Sequence, residues 1–311
     1  MMNFVSAAGD VFSSESTYIN CMLFAGLLGF AATGEWVAER SGTLNISVEA
    51  MLLNGAFAGA VGYHLFDWVG VAMCFGALGG WFIAFLQAQM SHRLTADQFV
   101  VGLTLNILVL GLTGFLDREI QPKAAFAARL EIPLLAELPW VGQALFGAPW
   151  PFYLLYGLVP LAWWLVFRTR WGLELRAAGE NPQSADVSGV EVNLRRRQGI
   201  YFAGIASGLG GAYFLVTRLA DFDSSAIGGR GFIAIAAVVF GGWTLWGTMA
   251  GCVLFAGALS FQLSLQGLGY EFNTELLQAL PFLVTIGAMA VFARRVRAPV
   301  ALAQPFIRGL K

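Results

Sequence analysis

The sequence predicts an all-α polytopic membrane protein, and three observations support that fold class. The 311 residues are 58% hydrophobic and only 12% charged, whereas an ordinary soluble domain is about 25% charged. Glycine occurs 38 times, and small residues allow membrane helices to pack closely. Apolar segments of about 20 residues, the length that crosses a bilayer as a helix, recur along the chain. So few charges could not cover the surface of a soluble protein of this size.

We expect about nine transmembrane helices, with roughly eight to ten as the range. Several candidate segments are interrupted by glycine and the seventh is short, so some helices should be broken or re-entrant. In chain order, the candidate spans are residues 17–34, 44–65, 68–90, 97–116, 151–168, 199–217, 231–246, 247–266 and 277–293.

Basic residues orient these spans, because cytoplasmic loops carry an excess of lysine and arginine. Six arginines lie in the connection 168–198, and four arginines and one lysine follow residue 293, whereas residues 1–16 contain neither. We therefore expect the N-terminus outside and the C-terminus in the cytoplasm. The proline-containing loop 117–150 should be extracytoplasmic and hold short helices.

The segment GEWVAERSGTLNISVEAML, residues 34–52, places charges between two apolar runs. Intramembrane acids usually face a bundle interior or an aqueous cavity. Asn45 and Glu49 are four residues apart and would share one face of the second span, with Asn54 slightly off that face. These side chains predict a polar stripe for the hydroxyls and amides of a solute. For the charges of residues 35–40, the alternative is mutual pairing as a short loop in the headgroup region.

Four further residues are candidates for a solute pathway. Gln98 and Asn106 lie in the fourth span, where the alternative is hydrogen bonding between helices. Arg230 directly precedes the seventh span, and Phe232 lies at the start of that span. Arg230 either lines an outer vestibule with the acidic residues of segment 221–223 or is a surface charge that meets another protein.

A weak internal repeat accompanies these candidates. Gly42 and Gly55 are 13 positions apart, as are Gly229 and Gly242. Each pair follows one apolar span and opens the next, and five spans between them would give the two units opposite orientation. Inverted repeats with broken helices at a central pathway are a common transporter design. Coincidence in a glycine-rich chain is the alternative.

The sequence offers no set of residues for catalysis or metal binding. Its two lysines lie outside any G-x-x-x-x-G-K-[ST] phosphate loop, and its two histidines outside any H-E-x-x-H zinc motif. Its three cysteines fall inside apolar runs without a metal-site spacing. We therefore expect neither an enzyme nor a metal site, and no nucleic-acid partner.

Three segments carry a resemblance to a known family. GEWVAERSGTLNISVEAMLLNGAFAG resembles the conserved segment of bacterial ABC-importer permeases, in the branched-chain amino-acid/ribose-type superfamily. Its nucleoside and simple-sugar branch reads E-R-S/A-G-x-x-N-I-G-x-E-G-x-M. Residues 176–212 and 228–251 are similar to the family's coupling segment and to a later span. Ser47 and Ala50 depart from the branch pattern, which has glycine at both positions, and both add a side chain beside Glu49.

The resemblance implies a single permease domain, residues 1–311, in the bacterial plasma (inner) membrane. Its partners would be ABC ATPase subunits, a second permease subunit and an extracytoplasmic substrate-binding protein. The chain would hold no cofactor, since ATP and Mg would bind the ATPases. The solute would be a nucleoside or simple sugar. Alternatives are an ABC permease for another polar solute, such as an amino acid or vitamin, or an ion-coupled secondary transporter that uses Glu49.

The resemblance also places ATPase coupling in the loop at about 169–198. There PQSADVSG can begin a short helix near Pro182, because proline is tolerated in the first helical turn. Composition alone favours an ordinary solvated loop. The candidate coupling residues are Glu180, Asn181, Pro182, Ala185, Asp186 and Gly189.

Overall fold

The computed structural model describes residues 4–133, 135–136, 142–267 and 297–308, with positions 279, 283–284, 286–287 and 290. Within that part of the chain, extended structure is limited to two isolated bridges, Lys123–Asp221 and Arg129–Pro149. The helices are α1 Phe4–Ser13, α2 Glu15–Arg40, α3 Val48–Phe66, α4 Val69–His92, α5 Gln98–Ile120, α6 Gly142–Phe146, α7 Tyr153–Arg168, α8 Arg170–Glu180, α9 Pro182–Val187, α10 Val192–Phe214, α11 Arg230–Phe240 and α12 Leu245–Gly267.

The all-α membrane fold class is confirmed. In the described residues, six helices are long and apolar enough to span a bilayer: α2, α4, α5, α7 with its preceding turn, α10 with its π-helical extension, and α12. The 19-residue α3 and the 11-residue α11 correspond to the second and seventh predicted spans. The ninth predicted span, 277–293, lies largely outside the described residues.

Glycines allow α3, α4 and α10 to meet backbone to backbone at the centre of the bundle. A Cβ on Gly55 of α3 would lie 2.6 Å from the carbonyl oxygen of Gly208 on α10. A Cβ on Gly208 would in turn lie 2.9 Å from the Cα of Gly80 on α4. Small residues that permit such close approach are typical of membrane helix interfaces, which accounts for the abundance of glycine.

The two long connections lie at opposite ends of α2. Near its start, Asn20 Oδ1 accepts a hydrogen bond from Arg218 at 2.7 Å, and segment 123–127 bonds to segment 216–221. At its end, Arg40 donates to the carbonyl of Trp243 at 2.7 Å, close to α8. Twenty helical residues span about 30 Å. The loop predicted outside, which contains α6, and the loop predicted inside therefore occupy opposite ends of the bundle.

A first break, residues 41–47, separates α2 from α3. Gly42 takes a left-handed φ of 87°, and the chain then turns back until Asn45 donates to Glu35 Oε2 at 2.8 Å. Glu35 lies five residues before the end of α2, which corresponds to about 7 Å along the axis. The broken or re-entrant helices expected from the sequence stay a prediction. The shared helical face of Asn45 and Glu49 is wrong, because α3 begins only at Val48.

A second break, residues 220–229, separates α10 from α11. The chain leaves α10 through a π-helical turn, Leu215–Leu219, and reaches α11 through Gly229, whose φ is 85°. Both breaks thus join a long span to a helix that starts inside the bundle, with a left-handed glycine in each. The inverted repeat rests on the 13-residue spacing of Gly42 and Gly55 and of Gly229 and Gly242, and it stays a prediction.

Candidate functional site

Two side chains of α5 satisfy much of the irregular backbone of the first break. Gln98 of α5 accepts from the Leu44 amide at 2.7 Å. Asn106 of α5 donates to the Ile46 carbonyl and accepts from the Ala50 amide, both at 2.9 Å. Non-helical backbone at membrane depth needs such partners, because lipid offers none. In this conformation Gln98 and Asn106 hold the break in place.

The sequence interpretation missed Gln87 of α4, which belongs to the same network. Gln87 is fully buried, and its side-chain oxygen contacts the hydroxyl of Ser47. That hydroxyl also lies 3.0 Å from Asn45 Oδ1. Next to them, Thr43 Oγ1 is 3.0 Å from His92 Nε2. An uncharged polar residue within an apolar span was the available signal for Gln87.

Glu35 and Glu39 lie within α2, so their predicted place in a short loop is wrong. Both are buried, with at most 1% of their surface exposed. Glu39 accepts a hydrogen bond from the indole N–H of Trp243, while Trp36 donates to the Trp243 carbonyl at 2.7 Å. The end of α2 is thereby fastened to the connection between α11 and α12.

Glu49 joins the two breaks. Its carboxylate oxygens accept from the amides of Gly229 and Gly231, each at 2.7 Å. These amides belong to the N-terminal turn of α11, where unpaired N–H groups and the helix dipole favour an anion. A Cβ on Gly231 would lie 2.7 Å from the Cα of Glu49. We call this contact between the start of α3 and the start of α11 the break junction.

The remaining predicted pathway residues lie in different places. Arg230 donates to the carbonyls of Ala226 and Ile227, and its guanidinium lies 5.4 Å from the ring centroid of Phe24. Asn54 donates to the Gly79 carbonyl at 2.8 Å and so ties α3 to α4. Phe232 is 43% exposed on α11. The candidates thus do not form one stripe. The hydrogen-bond network of the first break, here called the break network, contains Asn45, Gln98 and Asn106, whereas Glu49 lies at the break junction and the remaining three candidates belong to neither.

A cavity of about 440 Å³ with a mixed polar and apolar lining lies near the start of α2. Pockets of roughly 300–1,000 Å³ accommodate small organic molecules. The sequence interpretation did not identify this cavity, because residues from α2, the 126–149 segment and the end of α10 meet only in the folded chain. Its polar lining consists of Asn20, Arg129, Gln143, Thr217 and Arg218.

The predicted coupling residues form a compact helical element at the opposite end of the bundle. Asn181 caps α9 by accepting from the Ser184 amide at 2.9 Å, and Pro182 occupies the first turn as predicted. Ala185 is buried, whereas Glu180 is exposed. Asp186 Oδ1 lies 3.3 Å from Arg308 Nε. Gly189 ends the element with a φ of 88°.

An α-helical membrane bundle with a buried break after α2, a second break after α10 and a helical element at one end has the architecture common among membrane transporters. The family comparison assigns it more closely. Residues 17–289 match the family described as "Branched-chain amino acid transport system / permease component". The chain belongs to this family, which makes it a permease subunit of an ABC importer and confirms the resemblance drawn from its three segments.

Curated relatives cover almost the whole chain. It is 32% identical over 308 residues to the guanosine ABC transporter permease protein NupQ of Bacillus subtilis, covering 93% of this chain and 95% of the relative. It is also 32% identical to the nucleoside ABC transporter permease protein NupC of Lactococcus lactis, covering 93% and 96%. The ribose import permease protein RbsC of Escherichia coli is 26% identical over 247 residues, covering 78% and 74%.

Proposed function

We propose that this permease carries nucleosides, with simple sugars as the second solute class, into a bacterial cytoplasm across the inner membrane. The relatives named for guanosine and nucleosides match over 93% of the chain, and this is the observation that carries the solute class. The permease named for ribose matches less of it, 78%. Two permease subunits, two ATPase subunits and an extracytoplasmic binding protein would form the importer.

The orientation that fits this function places the α8–α9 element and the C-terminus in the cytoplasm. The positive-inside rule supports it, because segment 168–198 contains six arginines and the chain after residue 293 contains five basic residues. The cavity near the start of α2 would then open toward the binding protein. Its amide and guanidinium groups provide hydrogen-bond partners for the hydroxyls and ring nitrogens of a nucleoside.

The break junction supplies a physical basis for alternating access. A carboxylate that accepts two backbone N–H groups makes charge-assisted hydrogen bonds, which are about twice as strong as neutral ones. The junction would therefore hold the starts of α3 and α11 together until nucleotide-driven motion separates them. A solute that supplies its own hydroxyl or N–H donors could replace the lost hydrogen bonds of Glu49.

α9 offers a docking surface for an ATPase. Val187 is 90% exposed at its end, and Glu180 and Gln183 are exposed beside it. These residues lie in the segment that resembles the family's coupling segment, and that resemblance supports the docking surface. The cap at Asn181 and the buried Ala185 fix the orientation of this surface on the bundle.

Purification of the importer from its own membranes tests the solute class and the partners together. The complex should contain an ATPase and bring down a binding protein whose fluorescence or calorimetric titration shows tighter binding of nucleosides than of free sugars. A binding protein that takes ribose or glucose but no nucleoside would move the assignment to the sugar class. A purified chain without an ATPase that transports solute would contradict the importer assignment.

A further inference from the structure

Three consecutive arginines at the start of α10 have different environments. Arg195 forms an ion pair with Glu174 at 2.5 Å, and Arg197 donates to the Asn193 carbonyl at 3.3 Å. Arg196 is fully buried. Within the described residues its guanidinium binds backbone carbonyl oxygens and no carboxylate. It donates to the Gln304 carbonyl at 2.6 Å and to the carbonyls of Ala178 and Ala301 at 3.4 Å. A buried cation with this partner set joins α8 to the C-terminal tail.

The C-terminal tail, residues 297–308, is here called the strap, and it also contacts α8. Its Ala301 amide donates to the Gly179 carbonyl at 2.9 Å, and its Ala303 amide donates to the Gly42 carbonyl at 3.2 Å. Gly179 lies near the end of α8, and Gly42 lies in the first break. One short segment therefore bonds through its backbone to both the coupling element and the break.

Apolar packing extends the strap to α9. Phe306 is 8% exposed and packs in a cluster with Ala178, Ala185 and Val192. The Phe306 carbonyl accepts a hydrogen bond from Asn193 Nδ2 at 3.3 Å. Two residues further on, Arg308 forms an ion pair with Asp186 of α9. The strap thus contacts the helix that carries the exposed Val187.

Close backbone contact makes the packing between the first break, the end of α8 and Arg196 stiff. A Cβ on Gly42 would lie 3.0 Å from the Cα of Gly179 and 2.9 Å from Arg196 Nη2. Densely packed groups move as a unit, because a shift of one creates clashes or voids at the next. A displacement of α9 must therefore displace the strap, the end of α8 and the first break together.

We infer that Arg196 and Phe306 are positioning residues for coupling, because they fasten the strap so that motion of the docked ATPase reaches the first break. The inference rests on the proposed importer function. It assigns the tail a mechanical role in transport, whereas the sequence interpretation used only its charges, for orientation.

Two substitutions with neighbouring controls test this role in the full importer. Phe306→Ala should lower solute uptake per ATP hydrolysed by at least about fivefold, while Ile307→Ala, at a 43% exposed position, should leave it unchanged. Arg196→Lys should lower it as well, since one ammonium cannot reproduce the guanidinium's planar set of donors. Arg195→Lys is the matched control. Co-purified ATPase would confirm assembly of each variant.

A reversible cross-link covers the case in which Phe306→Ala fails to assemble. Asp186→Cys with Arg308→Cys, whose native side chains approach to 3.3 Å, would be bridged by a reducible bis-methanethiosulfonate cross-linker, which spans the longer separation that an arginine side chain bridges. If the strap and α9 move together, the cross-linked importer keeps at least half the uptake of the same protein after reduction. Loss of uptake on cross-linking would show that they must separate and would overturn the inference.

Failure of the inference and failure of the proposed function give different results. Wild-type protein without ATP-driven uptake would contradict the importer function itself. ATP-driven wild-type uptake with unchanged stoichiometry in both Phe306→Ala and Arg196→Lys would overturn the role of the strap alone.

Discussion

At the residue scale, Glu49 connects segments that lie 180 and 182 positions apart in sequence. The sequence predicted that Glu49 lines a solute pathway, because an intramembrane carboxylate is costly unless it has partners. It could not identify those partners as backbone amides of α11. Backbone donors have no sequence signature, and the contact exists only when both breaks are folded.

Glu49→Gln should lower uptake by about tenfold or more, since charge-assisted hydrogen bonds contribute about 1.5–3 kcal/mol. A glutamine offers one acceptor oxygen and turns an NH₂ group toward the second amide. Uptake into proteoliposomes measures the effect, and co-purification with the ATPase shows whether assembly is preserved. Unaltered uptake would make Glu49 a structural residue only.

Gly231→Ala tests the close approach at the break junction. The added methyl group would lie 2.6–2.7 Å from backbone atoms of Glu49, and backbone atoms cannot easily move away to relieve this clash. We therefore expect a loss of about 1–3 kcal/mol of stability. Thermal unfolding in detergent measures it. Gly111→Ala is the control, because its Cβ would meet nothing within 4 Å; equal unfolding temperatures for the two variants would contradict the packing described.

At the element scale, α9 was predicted from PQSADVSG and begins at Pro182 as expected. Its proline and the preceding asparagine are local signals, which a sequence displays directly. The first break was harder to place, and the predicted second span began four residues too early. Asn45 and Glu49 have the spacing of a helix face, but the tertiary partners in α2, α4 and α5 stabilise a non-helical Asn45.

Val187→Glu tests α9 as a docking surface without changing its cap or its buried face. A charge in place of an exposed apolar contact should reduce recovery of the ATPase with the permease by about tenfold. Val300→Glu, at a position that is 71% exposed, is the control. Full ATPase recovery with Val187→Glu would place the docking surface elsewhere.

Asn181→Ala separates the cap from direct contact with the ATPase. Removal of the side chain that accepts from the Ser184 amide should cost about 1 kcal/mol of α9 stability. Asn181→Asp keeps the cap and should retain coupling. If both variants lose coupling equally while ATPase recovery persists, Asn181 contacts the ATPase instead of serving only as a cap.

At the scale of the whole molecule, composition and apolar length were sufficient to predict an all-α membrane bundle. The distribution of basic residues predicted that loops 117–150 and 168–198 lie on opposite sides of the membrane. The structure places these two loops at opposite ends of α2. The break network, the cavity near the start of α2 and the strap were not predicted, because each combines residues from distant parts of the sequence. The glycines that let helices meet were visible only as an excess, without their partners.

The energy source of transport tests the importer assignment most directly. Proteoliposomes containing the permease, its ATPase and its binding protein should accumulate the radiolabelled solute that the binding protein binds when ATP is supplied on the ATPase side. Accumulation should persist when ionophores collapse all ion gradients. Accumulation of that solute by the permease alone, driven by an ion gradient and independent of ATP, would contradict the account and favour a secondary transporter.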